Sequence, residues 1–175
     1  MLRNTAVLVA IIAIFVPAHA ESSLPGEVEY SWATQPEFWV ATAANLTGTA
    51  LFIARVHAPS LAPGMGLATQ LIGLPAVLVG LTDITRGRAD AATIGVLAYG
   101  AWAVAAAVVD HVLCIDYRDP PRWTILGPYV ALYYAGIGIA SATQLVNGKA
   151  PWVIAGATCV VAVAASFYAR ALGAD

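Results

Sequence analysis

Five apolar stretches of 18 to 24 residues dominate the chain and decide most of what it can become. They run over residues 38–56, 64–81, 92–115, 125–146 and 152–172. A helix of ~20 residues crosses the hydrocarbon core of a bilayer, and it satisfies its own backbone hydrogen bonds on the way. Between the stretches stand "APSLAPG", "DITRGRAD", "DYRDPPR" and "NGKAP", all rich in residues that stop helices. Trp39, Trp123 and Trp152 fall at the expected interfaces, where amphipathic indole rings collect, while Trp102 falls mid-span. The expected fold is all-α, a polytopic bundle of five transmembrane helices after an N-terminal signal sequence.

Charge supports lipid as the solvent. Only 10% of the 175 residues are charged, against about 25% in a soluble domain, so polar surface is too scarce to cover a water-facing globule. The net charge of −2 and the lack of a basic patch argue against nucleic acid as a partner. The partners expected are membrane lipids, with other membrane subunits or further copies of the chain as the protein candidates. Two cysteines, Cys114 and Cys159, are assigned to opposite halves of the membrane and read as packing residues.

The first 20 residues, "MLRNTAVLVAIIAIFVPAHA", combine Arg3, a short apolar run and an Ala-x-Ala ending, the pattern of a signal peptide or signal anchor. Residues 21–37 then form an external acidic segment, and residues 38–175 the transmembrane domain. This places the N-terminus outside and the C-terminus in the cytoplasm of a bacterial or archaeal plasma membrane. Excluding the leader, four Lys and Arg residues fall inside and three outside, so the positive-inside rule adds little to the signal sequence. Matches such as the two "ATQL" segments share no common offset and mark no internal repeat.

Helices in lipid are drawn together by close packing of small residues and by interhelical hydrogen bonds. Ala44-x-x-x-Gly48, Gly136-x-x-x-Ala140 and Ala165-x-x-x-Ala169-x-x-x-Gly173 have suitable spacing. Pro75 is expected to kink the second span, and Pro128 to be accommodated in the first turn of the fourth. Polar and aromatic residues at helical spacing mark inward faces: Thr42, Asn45 and Thr49; Tyr99, Trp102, Ala106 and Asp110; Tyr129, Tyr133, Gly136, Ala140 and Gln144. A binder or carrier of a small, largely apolar molecule would use Tyr99, Trp102 and Tyr133 as contacts, with Asn45 and Gln70 orienting the ligand. A purely structural role, hydrogen bonding between helices, explains the same faces.

"VVDHVLCIDYRDPPRW" carries the densest chemistry. Measured from a helix end near Tyr117, Asp110 lies roughly 10 Å inside, where an ionised carboxylate costs up to ~3 kcal/mol unless paired or wetted. Arg55 or Arg170 could pair with it. His111 points about 100° away, so the two are not expected to face one partner. Under an enzyme reading, Asp110 and His111 serve as acid–base catalytic groups on a lipid or isoprenoid. Arg55, Asp116, Arg118, Asp119 and Arg122 form a cytoplasmic-edge charge cluster, in which Arg118 and Arg122 would hold a phosphate under the enzyme reading, whereas Arg55 with Asp110 would gate the cytoplasmic end in a carrier. Asp116-x-x-Asp119 has no second acidic motif for a divalent metal, and His57 with His111 are weak grounds for haem b. No cofactor and no metal site are therefore expected. A retinal Schiff base is not expected, because the single lysine, Lys149, falls between the fourth and fifth apolar stretches rather than within one.

Overall fold

The computed structural model describes residues 35–117 and 121–174, so the leader, the acidic segment up to residue 34, and Arg118 and Asp119 of the charge cluster lie outside the described residues. Among the described residues there are six α-helices: α1 Pro36–His57, α2 Ala62–Leu71, α3 Gly73–Thr85, α4 Ala91–Ala107, α5 Trp123–Ala142 and α6 Lys149–Ala171. A π turn, Val108–Val112, prolongs α4, and a 3₁₀ turn, Thr143–Asn147, prolongs α5. Among the described residues there are no strands. The all-α bundle is the observed architecture.

Among the described residues, four rods are long and apolar enough to cross a membrane: Ala62–Thr85, Ala91–Val112, Trp123–Asn147 and Lys149–Ala171. Helix α1 is also long, at 22 residues, but Glu37, Thr42, Asn45, Thr47, Thr49 and Arg55 make it the most polar of the five. Large apolar side chains face outward around the bundle, among them Leu46, Leu74, Leu78, Val112, Val146 and Val160. Inside lie small, polar and aromatic residues, including Asn45, Thr69, Ser141 and Gln144. That distribution suits lipid outside and hydrogen-bonding partners inside. The chain is a membrane-embedded helix bundle.

Helix boundaries follow local chemistry. Pro36 opens α1 at a position whose N–H would lack a helical partner anyway. Asp90 caps α4 by accepting a hydrogen bond from the Thr93 backbone N–H at 2.9 Å. The second span is interrupted at Ile72, so the expected kink is a break between α2 and α3. Pro75 cannot donate to the carbonyl of Leu71, four residues back. Pro128 sits in the second turn of α5 rather than the first, because the helix starts at Trp123. The third span ends at Val112, not near Ile115, because Cys114 adopts a left-handed φ of 49°. Asp110 is consequently in the final turn, close to the helix end, and the sequence-based depth of about 10 Å is too large.

Helix α1 packs on α6 and α2, α3 packs on α4, α4 on α5, and α5 on α6, closing a ring. The tightest seam is α4 against α5. A Cβ on Gly95 would lie 2.5 Å from the backbone nitrogen of Ala140, and one on Gly136 would lie 2.6 Å from that of Tyr99. Pairing 95 with 140, 99 with 136 and 102 with 133 keeps a single antiparallel register along this seam. Gly136-x-x-x-Ala140 is thus at a close contact, whereas its partner Gly95 was not singled out in the sequence.

Candidate functional site

The polar faces do not converge on one chamber. They separate into a packed interior and two polar sites at opposite ends of the bundle.

In the interior, Asn45 Nδ2 donates to Ser141 Oγ at 3.0 Å, and lies 3.3 Å from both the Ala155 carbonyl and Thr158 Oγ1. One amide therefore joins α1 to α5 and α6. Tyr99 donates its hydroxyl to the Thr69 carbonyl at 2.6 Å, tying α4 to α2 beside the break. Ring centroids are 5.3 Å apart for Tyr99 and Trp102 and 4.7 Å for Trp102 and Tyr133. Gly48 provides the room for Tyr133, since a Cβ there would collide with its hydroxyl. Asn45, Tyr99, Trp102 and Tyr133 are all buried in this packed region, apart from Gln70.

At the end containing His57, a cleft of about 470 Å³ opens between α1, α2 and the π turn. Leu51, Pro63, Gly66 and Leu67 supply apolar walls, and Arg55, Gln70, Asp110 and His111 supply polar groups. Gln70 Nε2 donates to Asp110 Oδ2 at 3.0 Å, and Gln70 Oε1 lies 2.8 Å from His111 Nε2. The expectation that Asp110 and His111 cannot share a partner is therefore wrong. A side-chain amide has a donor end and an acceptor end, and it spans the two residues. The π turn, closed by the Leu113 N–H donating to the Val108 carbonyl at 2.8 Å, holds an extra residue and alters the angular spacing that a regular helix would impose.

With its nitrogen toward Asp110 and its oxygen toward the imidazole, the amide donates to the carboxylate oxygen and can accept from an N–H at His111 Nε2. Of the edge cluster, Arg55 lines the cleft, whereas Asp116 and Arg122 are exposed on the α4–α5 link. That link folds back through Tyr117, whose carbonyl accepts from the Arg122 N–H at 2.9 Å and whose ring lies 5.3 Å from Tyr129. His57 is engaged elsewhere: its Nε2 is 3.2 Å from the Tyr168 hydroxyl, joining the ends of α1 and α6. Among the described residues, no three His, Cys, Asp or Glu side chains gather as a metal site would require.

The opposite end carries a site that sequence inspection missed. Asp83, in the last turn of α3, is 2% exposed, and Glu37, just ahead of the apolar part of α1, is 6% exposed. Arg88, from the α3–α4 turn, donates through Nη2 to both, at 3.3 Å from Glu37 Oε1 and in a shorter contact with Asp83 Oδ1. The bond to Asp83 raises the Arg88 pKa further, and the Thr93 backbone bond lowers that of Asp90. For Glu37, burial comes first and the Asp83 carboxyl second in pushing its pKa above the usual carboxylate range. The only sequence signal was Asp83 and Arg88 straddling a turn; Glu37 is remote in the chain.

Comparison with protein-family models, with curated proteins and with solved structures found no match to this chain.

Proposed function

We propose that the protein is a non-enzymatic membrane component that binds a small amphipathic molecule in the cleft beside Gln70. One observation carries the reading: apolar walls lead to a polar group set in which Gln70 connects Asp110 to His111. A greasy ligand could lie along Leu51 and Leu67 and present a polar head to Arg55, Gln70 and His111. The aromatic interior then serves as scaffold for the cleft, and the site lies at the bundle edge, away from Tyr99, Trp102 and Tyr133.

The test is native mass spectrometry of the protein released from membranes in mild detergent. Wild-type protein should carry a bound lipid-like species, and Gln70→Leu should lower its occupancy about tenfold, as expected for ~1.4 kcal/mol of lost polar contact. Equal occupancy in the two proteins would sink the assignment. A second reading, acid–base chemistry on such a ligand, is favoured by Gln70 bringing Asp110 and His111 together at the cleft. Incubation with membrane lipid extract separates the two. Binding without any new product supports the carrier or accessory role, and a product lost in His111→Gln supports the enzyme.

Orientation follows the same proposal, with α1 as the fifth span and the cleft facing the cytoplasm. Trp39, Leu46 and Ile53 form an exposed apolar stripe at seven-residue spacing along α1, which suits a lipid-facing helix. Cys114 is exposed near the cleft and Cys159 is buried. A membrane-impermeant maleimide should therefore label Cys114 only after cells are opened, and leave Cys159 unmodified. Labelling of Cys114 in intact cells would reverse the topology.

A further inference from the structure

We propose that Glu37, Asp83 and Arg88 form a one-proton binding site, a carboxyl–carboxylate pair held by a single guanidinium at the end of the bundle remote from the cleft. Arg88 uses one oxygen of each acid, Glu37 Oε1 and Asp83 Oδ1. The remaining oxygens, Glu37 Oε2 and Asp83 Oδ2, are buried and have no hydrogen-bond partner among the described residues. Both are acceptors in the ionised form, and neither can satisfy the other. A single added proton changes that, because a protonated carboxyl donates to a carboxylate through one of the strongest kinds of hydrogen bond.

Charge leads to the same stoichiometry. Two ionised acids and one arginine leave one uncompensated negative charge in a buried place, which is costly. One proton neutralises the set and two would forfeit an ion pair. The effect of burial and of the neighbouring Asp83 on Glu37 has the matching sign. A hard metal cation would need several more oxygens than the two left over.

Other charged groups at this end do not take over the role of the proton. Arg86, on the α3–α4 turn, lines an adjoining cleft of about 270 Å³ that also reaches Asp83. Asp90, at the start of α4, is committed to capping Thr93. The end of α5 carries the neutral Gln144 and Asn147, which bond to each other at 2.9 Å, and exposed Lys149 opens α6.

Infrared difference spectroscopy on the full chain in lipid nanodiscs tests the proposal. Wild-type protein should show the carbonyl stretch of a protonated carboxyl at a pH where ordinary glutamates are ionised, and lose it reversibly as pH is raised. Because one proton is shared, Glu37→Gln and Asp83→Asn should each abolish that band. No titrating band in the wild type, or a band that persists in either variant, overturns the proposal. Should a variant fail to accumulate, the wild type still decides through its melting temperature. A group with a raised folded-state pKa stabilises fully at low pH and stops doing so as pH rises through that pKa. The melting temperature should fall by several degrees across the band's titration, and a flat profile there overturns the proposal.

Discussion

Gly136→Val is expected to reduce the yield of folded protein severely and to lower the melting temperature of what remains. The mechanism is steric and local. Even a Cβ at this position would stand 2.6 Å from the Tyr99 backbone nitrogen and 2.7 Å from its Cα, and backbone of a neighbouring helix cannot rotate aside as a side chain can. Helices α4 and α5 would have to separate, which breaks the register that also aligns Gly95 with Ala140 and Trp102 with Tyr133. Overpacking of this kind costs about 1–3 kcal/mol in a well-packed core, and lipid provides no hydrophobic drive to restore the contact. Gly138 makes the control, since a Cβ there meets nothing within 4 Å. Thermal unfolding in detergent should therefore rank wild type and Gly138→Ala together, Gly136→Ala below them, and Gly136→Val lowest. Equal stability of Gly136→Val and wild type would refute the seam.

Arg88→Met should destabilise the opposite end by ~2 kcal/mol at neutral pH, below the usual cost of breaking a buried ion pair because Arg88 is itself about half exposed. Methionine keeps the length and the apolar stem but leaves Glu37 and Asp83 facing each other without a cation. The loss should depend on pH, and the sign is determined by the chemistry. Without Arg88, burial and the neighbouring Asp83 carboxyl make Glu37 hold its proton more tightly in the folded state than in the unfolded chain, so acid restores stability and alkali removes it. Melting curves of wild type and Arg88→Met should converge toward acid pH and diverge as pH rises. A constant gap across the range would mean that Arg88 contributes packing rather than charge.

Four of the five expected spans were legible because length and apolarity are properties of contiguous residues, and the break at Ile72 was foreshadowed by Pro75 three residues later. What escaped depended on residues distant in the chain or on departures from a regular helix. The run through Leu113 and Ile115 reads as continuing helix, yet Cys114 turns the backbone out of it, which brings Asp110 close to the helix end. Asp110 and His111 stood out in the sequence, but a wheel of fixed angular steps cannot show a π turn or an amide bridging from another helix. Glu37 and Arg88 are 51 positions apart, and nothing in either local sequence announces the other. The inward placement of Tyr99, Trp102 and Tyr133 was correct as burial, while the proximity of their rings and of Gly48 closes the space that a chamber would need.

The interruption at Ile72 divides the second span between the two polar ends. Gln70 and Asp83 sit on opposite arms of one jointed rod, in which Pro75 cannot donate to the Leu71 carbonyl while Ile72 still bonds to Ala68 and accepts from Ala76. The short arm is tied to α4 by the Tyr99 hydroxyl at the Thr69 carbonyl and brings Gln70 to Asp110 and His111, while the long arm packs on α4 and brings Asp83 to Arg88. A single span thus supplies one member of each polar station, the amide at one end and a carboxylate at the other.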